Sequence, residues 1–290
     1  VSRETVGLLL GFVGVVLFGG SLPFTRLALE SLDPWFVTAA RAALAGLLAA
    51  AVLLVRRRPL PNGRMLAKLA LISLFLVAGF PGFTALAMQS VGASHGGVVL
   101  GVMPLVTGIA GVALAGERPA PGFWLAAVSG AAVVVAFTLR EGAGHFQAGD
   151  LLLAGAVISA ALGYALSGQL THDLKSGWEV ISWALVLALP VSAPLMILLA
   201  PSAPSAIAPA SWIGLVYVAV LSQYLGFFAW NAGLAIGGIA RVSQVQLLQT
   251  FVTLSLAAAV NDERVGALTW LVALVVVGLV LAGRKAIIRR

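Results

Sequence analysis

Among the residues able to do chemistry, the densest group lies near the end of the chain: Ser243, Gln244, Gln246, Gln249, Thr250 and Thr253. They sit inside an otherwise apolar stretch, 239–260. Gln246, Gln249 and Thr253 are spaced by three and four residues, so a helix places them on one face. An amide in hydrocarbon is costly unless it is paired or wetted. The face therefore either offers donors and acceptors to a polar solute or bonds to neighbouring helices, at under about 2 kcal/mol per contact. Three amides between 244 and 249 exceed what packing needs, which favours the solute.

The stretch 211–234 adds Tyr224 near its middle and Trp230 and Asn231 further along. Tyr224 and Asn231 read as solute contacts, whereas Trp230 also suits an aromatic belt at the membrane surface. Other stretches carry breaks. Phe80-Pro81-Gly82-Phe83 interrupts one apolar run at mid-depth, and Gly96-Gly97, Gly101 and Met103-Pro104 interrupt the next. Gly19-Gly20-Ser21-Leu22-Pro23 is a similar weak point in the first. Breaks in membrane helices point to transporter sites, while a proline kink or close packing through Gly97-x-x-x-Gly101 is the plainer alternative. The candidate substrate-binding set is thus Gln246, Gln249, Tyr224, Asn231, Phe83, Ser243, Thr253 and Met103. The candidate hinges are Pro23, Pro81, Gly82, Gly97 and Pro104.

Charged residues are few inside the apolar runs. Arg41 lies roughly 9 Å past Trp35 at the rise of a helix. It either snorkels or pairs with a carbonyl, or it attracts a substrate carboxylate. His95 reads as a residue at headgroup level, and His145 and His172 fall in loops. No set of side chains suggests a metal, so none is expected, nor any cofactor. The acidic residues Glu4, Glu30, Asp33, Glu117, Glu141, Asp150, Asp173, Glu179, Asp262 and Glu263 all fall in loops or at the ends of runs. Proton-coupled exchange usually needs a carboxylate inside the membrane, so transport is expected to be facilitated or coupled in another way.

The elements that position these residues follow from composition. Of 290 residues, 61% are hydrophobic and 9% charged, and the mean hydropathy is +1.07. A soluble domain carries about 25% charged residues, so this chain does not face water over its surface. A hydrocarbon core of about 30 Å needs roughly 20 apolar residues in a helix. Runs of that length predict ten spans: 6–28, 35–55, 65–88, 94–115, 121–139, 149–171, 178–200, 211–234, 239–260 and 266–284. The first run opens this series rather than ending at a cleavage site, and reads as a helix rather than a signal peptide. Continuous rather than alternating apolarity argues against a β-barrel. There is no Cys, which excludes disulfides and thiolate sites.

The +7 charge is spread along loops, so it reports orientation rather than nucleic-acid binding. With the N-terminus inside, the cytoplasmic face collects Arg3, Arg56, Arg57, Arg58, Arg64, Lys68, Arg118, Lys175, Arg241, Arg284, Lys285, Arg289 and Arg290. The other face holds Arg26, Arg140 and Arg264. Both termini are therefore expected in the cytoplasm of an inner-membrane protein.

Sliding the sequence by 146 residues lays Glu117-Arg118 on Glu263-Arg264, Val106-Thr107 on Val252-Thr253 and Trp124-Leu125 on Trp270-Leu271. Two halves, 1–145 and 146–290, each with five spans, would enter the membrane in opposite senses. Several local motifs support a family resemblance. They are Leu17-Phe18-Gly19-Gly20-Ser21, Asp33-Pro34-Trp35 with Arg41, Phe83-Thr84-Ala85-Leu86, Ser94, Met103-Pro104 and Gly116-Glu117-Arg118 with Trp124. Trp230-Asn231-Ala232, Asp262-Glu263-Arg264 and Trp270 follow in the second half. With these the chain resembles the EamA-type drug/metabolite transporter superfamily, and among its members the YddG-like aromatic amino-acid exporters. The resemblance implies an all-α membrane protein of ten helices, in two inverted five-helix repeats around a central cavity lined mainly by spans 1, 3, 4, 6, 8 and 9. Thr250 stands where the first half has Pro104, a departure that weakens any symmetric rocking argument.

The expected function is alternating-access export of a small organic solute, with aromatic or other neutral amino acids as cargo. A cavity with aromatics and amides and no fixed charge suits a net-neutral amphipathic solute. Purines and amphipathic cations are the alternative cargo. A membrane-embedded enzyme lacks a nucleophile–His pair or paired carboxylates, and a channel would need polar stripes along several helices. The expected partners are the solute and the bilayer, with oligomeric state open and a monomer compatible. Gly7-x-x-x-Gly11 offers a small-residue face for packing within the chain or for a dimer.

Overall fold

In the computed structural model residues 3–115, 118–119, 121–141, 145–174, 176–237, 243–285 and 288–289 are described, a few side chains excepted. The helices begin where the sequence supplies donors' partners and prolines. Asp33 caps α3 (Pro34–Val55), its carboxylate accepting from the backbone N–H of Trp35 and Phe36, with Pro34 in the first turn. Asn62 caps α4 (Gly63–Ile72) through Met65 N–H. At the other end of α3, Arg57 takes a left-handed φ of 49°. Arg57 N–H then bonds Leu54 O and Arg58 N–H bonds Leu53 O, the Schellman closure.

The chain begins with α1 (Arg3–Gly19) and α2 (Ser21–Ala28), which together form one apolar span. After α4 a π-helical segment, Ser73–Gly79, leads into α5 (Phe80–Ala87). Next come α6 (Ala93–Leu100), α7 (Met103–Ala115), α8 (Pro121–Glu141), α9 (Ala148–Leu174) and α10 (Gly177–Leu198). Then α11 (Pro209–Val216), a second π segment at Tyr217–Leu225 and α12 (Gly226–Gly237) run on as one helix. A 3-10 segment at Ser243–Leu248 precedes α13 (Gln249–Val260), and α14 (Ala267–Lys285) completes the helices. Arg118–Pro119 and Ile288–Arg289 form a two-residue antiparallel bridge.

Among the described residues seven helices are long and apolar enough to cross a membrane, and an eighth counts if α6 and α7, bent by 40°, are one span. Gln249–Val260 and Ala267–Ala282 are shorter apolar helices. Outward-facing Leu54, Val55, Leu125, Val128, Ile197 and Leu198 fit a lipid-facing surface.

Helix α1 packs along α12, α3 along α10, α5 and α7 on α9, α6 on α13, and α8 on α14. Small residues permit this. A Cβ on Gly233 would strike the backbone of Gly7 and Gly11, so the Gly7-x-x-x-Gly11 face is used within the chain. Alanines 42, 45 and 49 of α3 are buried beside Ile181, Ala184 and Leu185 of α10 in the largest apolar core.

Candidate functional site

Three prolines release carbonyls in the middle of the bundle. Proline lacks the N–H that a residue would donate four positions back. Pro23 therefore leaves Gly19 O free, and that carbonyl accepts from Thr253 Oγ1 of α13 at 2.8 Å. Pro81 stands in the first turn of α5, and the π segment just before it ends at Gly79. Here the carbonyl five residues before Pro81, Leu76 O, accepts from Gln223 Nε2 at 3.4 Å, while Phe75 O, already bonded by Phe80 N–H, also accepts from Ser159 Oγ of α9 at 2.9 Å. Pro104 has no N–H for Leu100, the residue at which α6 stops. The chain turns at Gly101-Val102 and resumes as α7.

These broken positions surround a cavity of about 70 Å³. Phe18, Ser21 and Leu22 line it from the first span, Arg41 from α3, and Leu76 and Phe80 from either side of the first break. Gly97, Leu100, Gly101 and Met103 come from the second break, and Tyr164 from α9. Ser222, Gln223 and Phe227 face it from the second π segment and α12, while Leu247, Gln249, Thr250, Thr253 and Val277 close the far wall.

Arg41 is 3% exposed. It donates from Nε to Gln223 Oε1 at 2.7 Å and from Nη2 to Ser21 Oγ at 3.3 Å. So it does not snorkel, and its partners are side chains rather than backbone carbonyls. Its presence in the wall overturns the expectation of a cavity without fixed charge.

Of the residues expected from sequence, Met103, Gln249, Thr253 and Gly97 are on the wall. Gln246, Ser243 and Pro104 have side chains outside the described ones, as do the whole residues Glu117, Lys175 and Arg241. Tyr224 is buried behind the wall, sharing a hydrogen bond with Ser182 Oγ at 3.1 Å and packing edge-on against Phe228. Asn231 packs near Gly177 at one end of the bundle. Phe83 is 38% exposed and packs over Gly155. Pro23, Pro81 and Gly82 are buried at the breaks without lining the cavity.

Gln223, Ser222 and Tyr164 were not singled out from sequence. Gln223 adjoins Tyr224, and the π geometry of Tyr217–Leu225 decides which of the two faces inward. A 3.6-residue period cannot read that. The one available signal was an unpaired amide in an apolar run.

The two ends of the bundle are tied differently. At one, the Glu263 carboxylate accepts from the N–H of Ala93 at 2.7 Å and of Ser94 at 2.9 Å, with Arg26 Nε at 3.6 Å. Arg26 also donates to Val91 O, and Asn261 donates to Pro23 O. His95 lies at this end, but it is buried, bonded to Asp150 at 2.6 Å and stacked on Phe137, so it is not a headgroup-level residue. At the other end Arg58 pairs with Glu179 at 3.2 Å and lies over the Trp178 ring. No group of three metal-ligating side chains occurs among the described residues.

The sequence profile of the EamA-like transporter family matches the chain twice, over residues 5–139 and 147–283. The chain is 42% identical over 285 residues to the uncharacterized transporter YdeK of Bacillus subtilis (strain 168), covering 98% of this chain and 99% of the relative. A protein of known crystal structure shares the fold with a TM-score of 0.65 at 20% identity, over 97% of this chain and 99% of that one.

Proposed function

The chain belongs to the EamA-like transporter family, and from that premise we propose that it is a carrier exporting a small organic solute by alternating access. The observation that carries this reading is the cavity, lined by polar groups from several helices beside the bend between α6 and α7 and the two π segments. In this reading the seven long helices, the bent pair and the two shorter apolar helices make ten spans, arranged as two inverted halves, 1–145 and 146–290. Both termini lie in the cytoplasm and the bilayer is the inner membrane, as the basic loops predict.

Aromatic or other neutral amino acids, the cargo of YddG-like exporters, are the leading candidates. The walls supply Phe18, Phe80, Tyr164 and Phe227 for an apolar side chain and Ser222, Gln249 and Thr250 for polar atoms. At about 70 Å³ the cavity is roughly half the volume that admits a benzene ring. An aromatic cargo therefore enters only as the helices part at their breaks, which is the motion alternating access requires. Because the described carboxylates all lie outside this wall, transport proceeds without a proton relay in the cavity.

Proteoliposomes tested with labelled amino acids, purines and amphipathic cations decide the matter. Saturable uptake with counterflow of amino acids is expected, reduced at least tenfold by Gln249→Ala or Ser222→Leu. Flux that neither saturates nor shows counterflow removes the carrier reading, and counterflow of purines or cations alone removes the cargo.

A further inference from the structure

Resting on the carrier reading, we propose that the cargo bears a carboxylate, and that the Arg41 guanidinium is its seat. Arg41 is nine-tenths buried and more, at 3% exposure, and it lines the cavity. An arginine keeps its charge in proteins, and a buried charge without a counter-charge is strongly unfavourable. Yet no ion pair among the described residues includes Arg41. Its two bonds go to neutral groups, Gln223 and Ser21, and engage two of the guanidinium's five N–H donors.

Those two partners orient the cation without neutralising it. Gln223 is itself fixed, because its amide donates to Leu76 O, a carbonyl in the π segment before Pro81. Its oxygen is thereby committed to Arg41 Nε. The donors that remain form part of a planar fork, whose match is the two oxygens of a carboxylate. Phe18, Phe80 and Phe227 stand around the same space, which suits an organic anion over an inorganic one. The described wall holds one cation and no acid, so a solute that brings one negative charge completes it. An amine finds only hydroxyls, amides and ring faces there.

Thermal unfolding of the purified protein in detergent tests this with propionate and phenylacetate against propionamide and phenylacetamide. The carboxylates are expected to raise the midpoint with concentration, and the isosteric amides and inorganic phosphate to leave it unchanged. Arg41→Gln should abolish the response. Since that variant risks misfolding, Gln223→Glu is the companion: it places a carboxylate on Arg41 from within. It should fold with a midpoint at or above that of the parent, and weaken the carboxylate response at least tenfold. Stabilisation by the amides or by phosphate equal to that by the acids overturns the proposal. So does a parent protein that ignores both carboxylates, or a folded Gln223→Glu variant that responds like the parent. Counterflow in liposomes reports separately on the carrier. Carboxylate-selective stabilisation without counterflow leaves the seat and removes the carrier, whereas equal counterflow of acids and amides does the reverse.

Discussion

A single hydroxyl carries much of the argument at the scale of residues. Thr253 Oγ1 supplies the hydrogen bond that Pro23 denies to Gly19 O. If Thr253→Val removes it, a buried carbonyl is left unsatisfied, at a cost of about 1–3 kcal/mol. The same loss should shrink once Pro23→Ala restores a backbone N–H able to reach Gly19 O. A double-mutant cycle on thermal or denaturant unfolding measures this. The expected coupling is at least about 1 kcal/mol in the direction of rescue. Strict additivity of the two substitutions would mean that the hydroxyl and the proline are unconnected. Thr253 appeared in the sequence as part of a polar face, and Pro23 as a weak point. Their relation was not visible there, because residues 230 positions apart meet only in the folded bundle.

Helices meet closely where side chains are small, and the contact of α6 with α13 is one such place at the cavity. A Cβ on Gly97 would come within 2.8 Å of Thr253 Cγ2. Neither atom is the end of a long side chain, so Gly97→Ala must push the two helices apart. The expected cost is about 1–3 kcal/mol together with loss of flux. Thr253→Ser deletes the offending methyl and keeps the hydroxyl, so it should restore both in the double variant; failure to rescue either would place the effect of Gly97 elsewhere. This element pairing shows what sequence could and could not deliver. One break was legible, since Gly101 and Pro104 are local signals and α6 stops beside them, whereas at Pro81 the helix runs on, its preceding turns widened to a π segment. The polar face of α13 was legible at Gln249 and Thr253 for the same reason. The inward turn of Gln223 was not, because the π segment Tyr217–Leu225 contains no proline and nothing in its residues announces it. Tyr224 drew the eye as the mid-depth phenol, but Ser182 satisfies it behind the wall. Arg41 was seen from the outset, but its partners Gln223 and Ser21, on two other helices, are brought to it only by the fold.

Over the whole molecule the recurrence of structure at one offset supports the two-half architecture. The starts of α4 and α11, of α7 and α13, and of α8 and α14 are each 146 residues apart. The packing pairs follow suit: α3 with α10 and α8 with α14 are pairs of counterparts. The pairing of α1 with α12 is mirrored by that of α9 with α5. A twofold relation between the halves would generate this pattern. Orientation can be read directly, because the chain has no Cys of its own. With the N-terminus inside, Ser205→Cys should react with a membrane-impermeant maleimide on intact cells, and Leu60→Cys only after permeabilisation. Both positions are exposed, and the opposite pattern would invert the assignment. The same chemistry tests the gate. Glu263, Arg26 and Asn261 tie the loop after α13 to the first span and to the start of α6. These bonds hold that end of the bundle together, and Ser222 in the cavity wall is 3% exposed. Each charge-assisted bond to Glu263 is worth about 1.5–3 kcal/mol net, and part of that is the difference between shut and open. Glu263→Ala should then raise the rate at which external maleimide reaches Ser222→Cys by roughly tenfold, the equivalent of about 1.4 kcal/mol. Glu179→Ala, at the opposite end, should leave that external rate unchanged. If the two substitutions act alike, the carboxylates only stabilise the bundle; if only Glu263→Ala opens the cavity from outside, the loop it anchors is the outer gate.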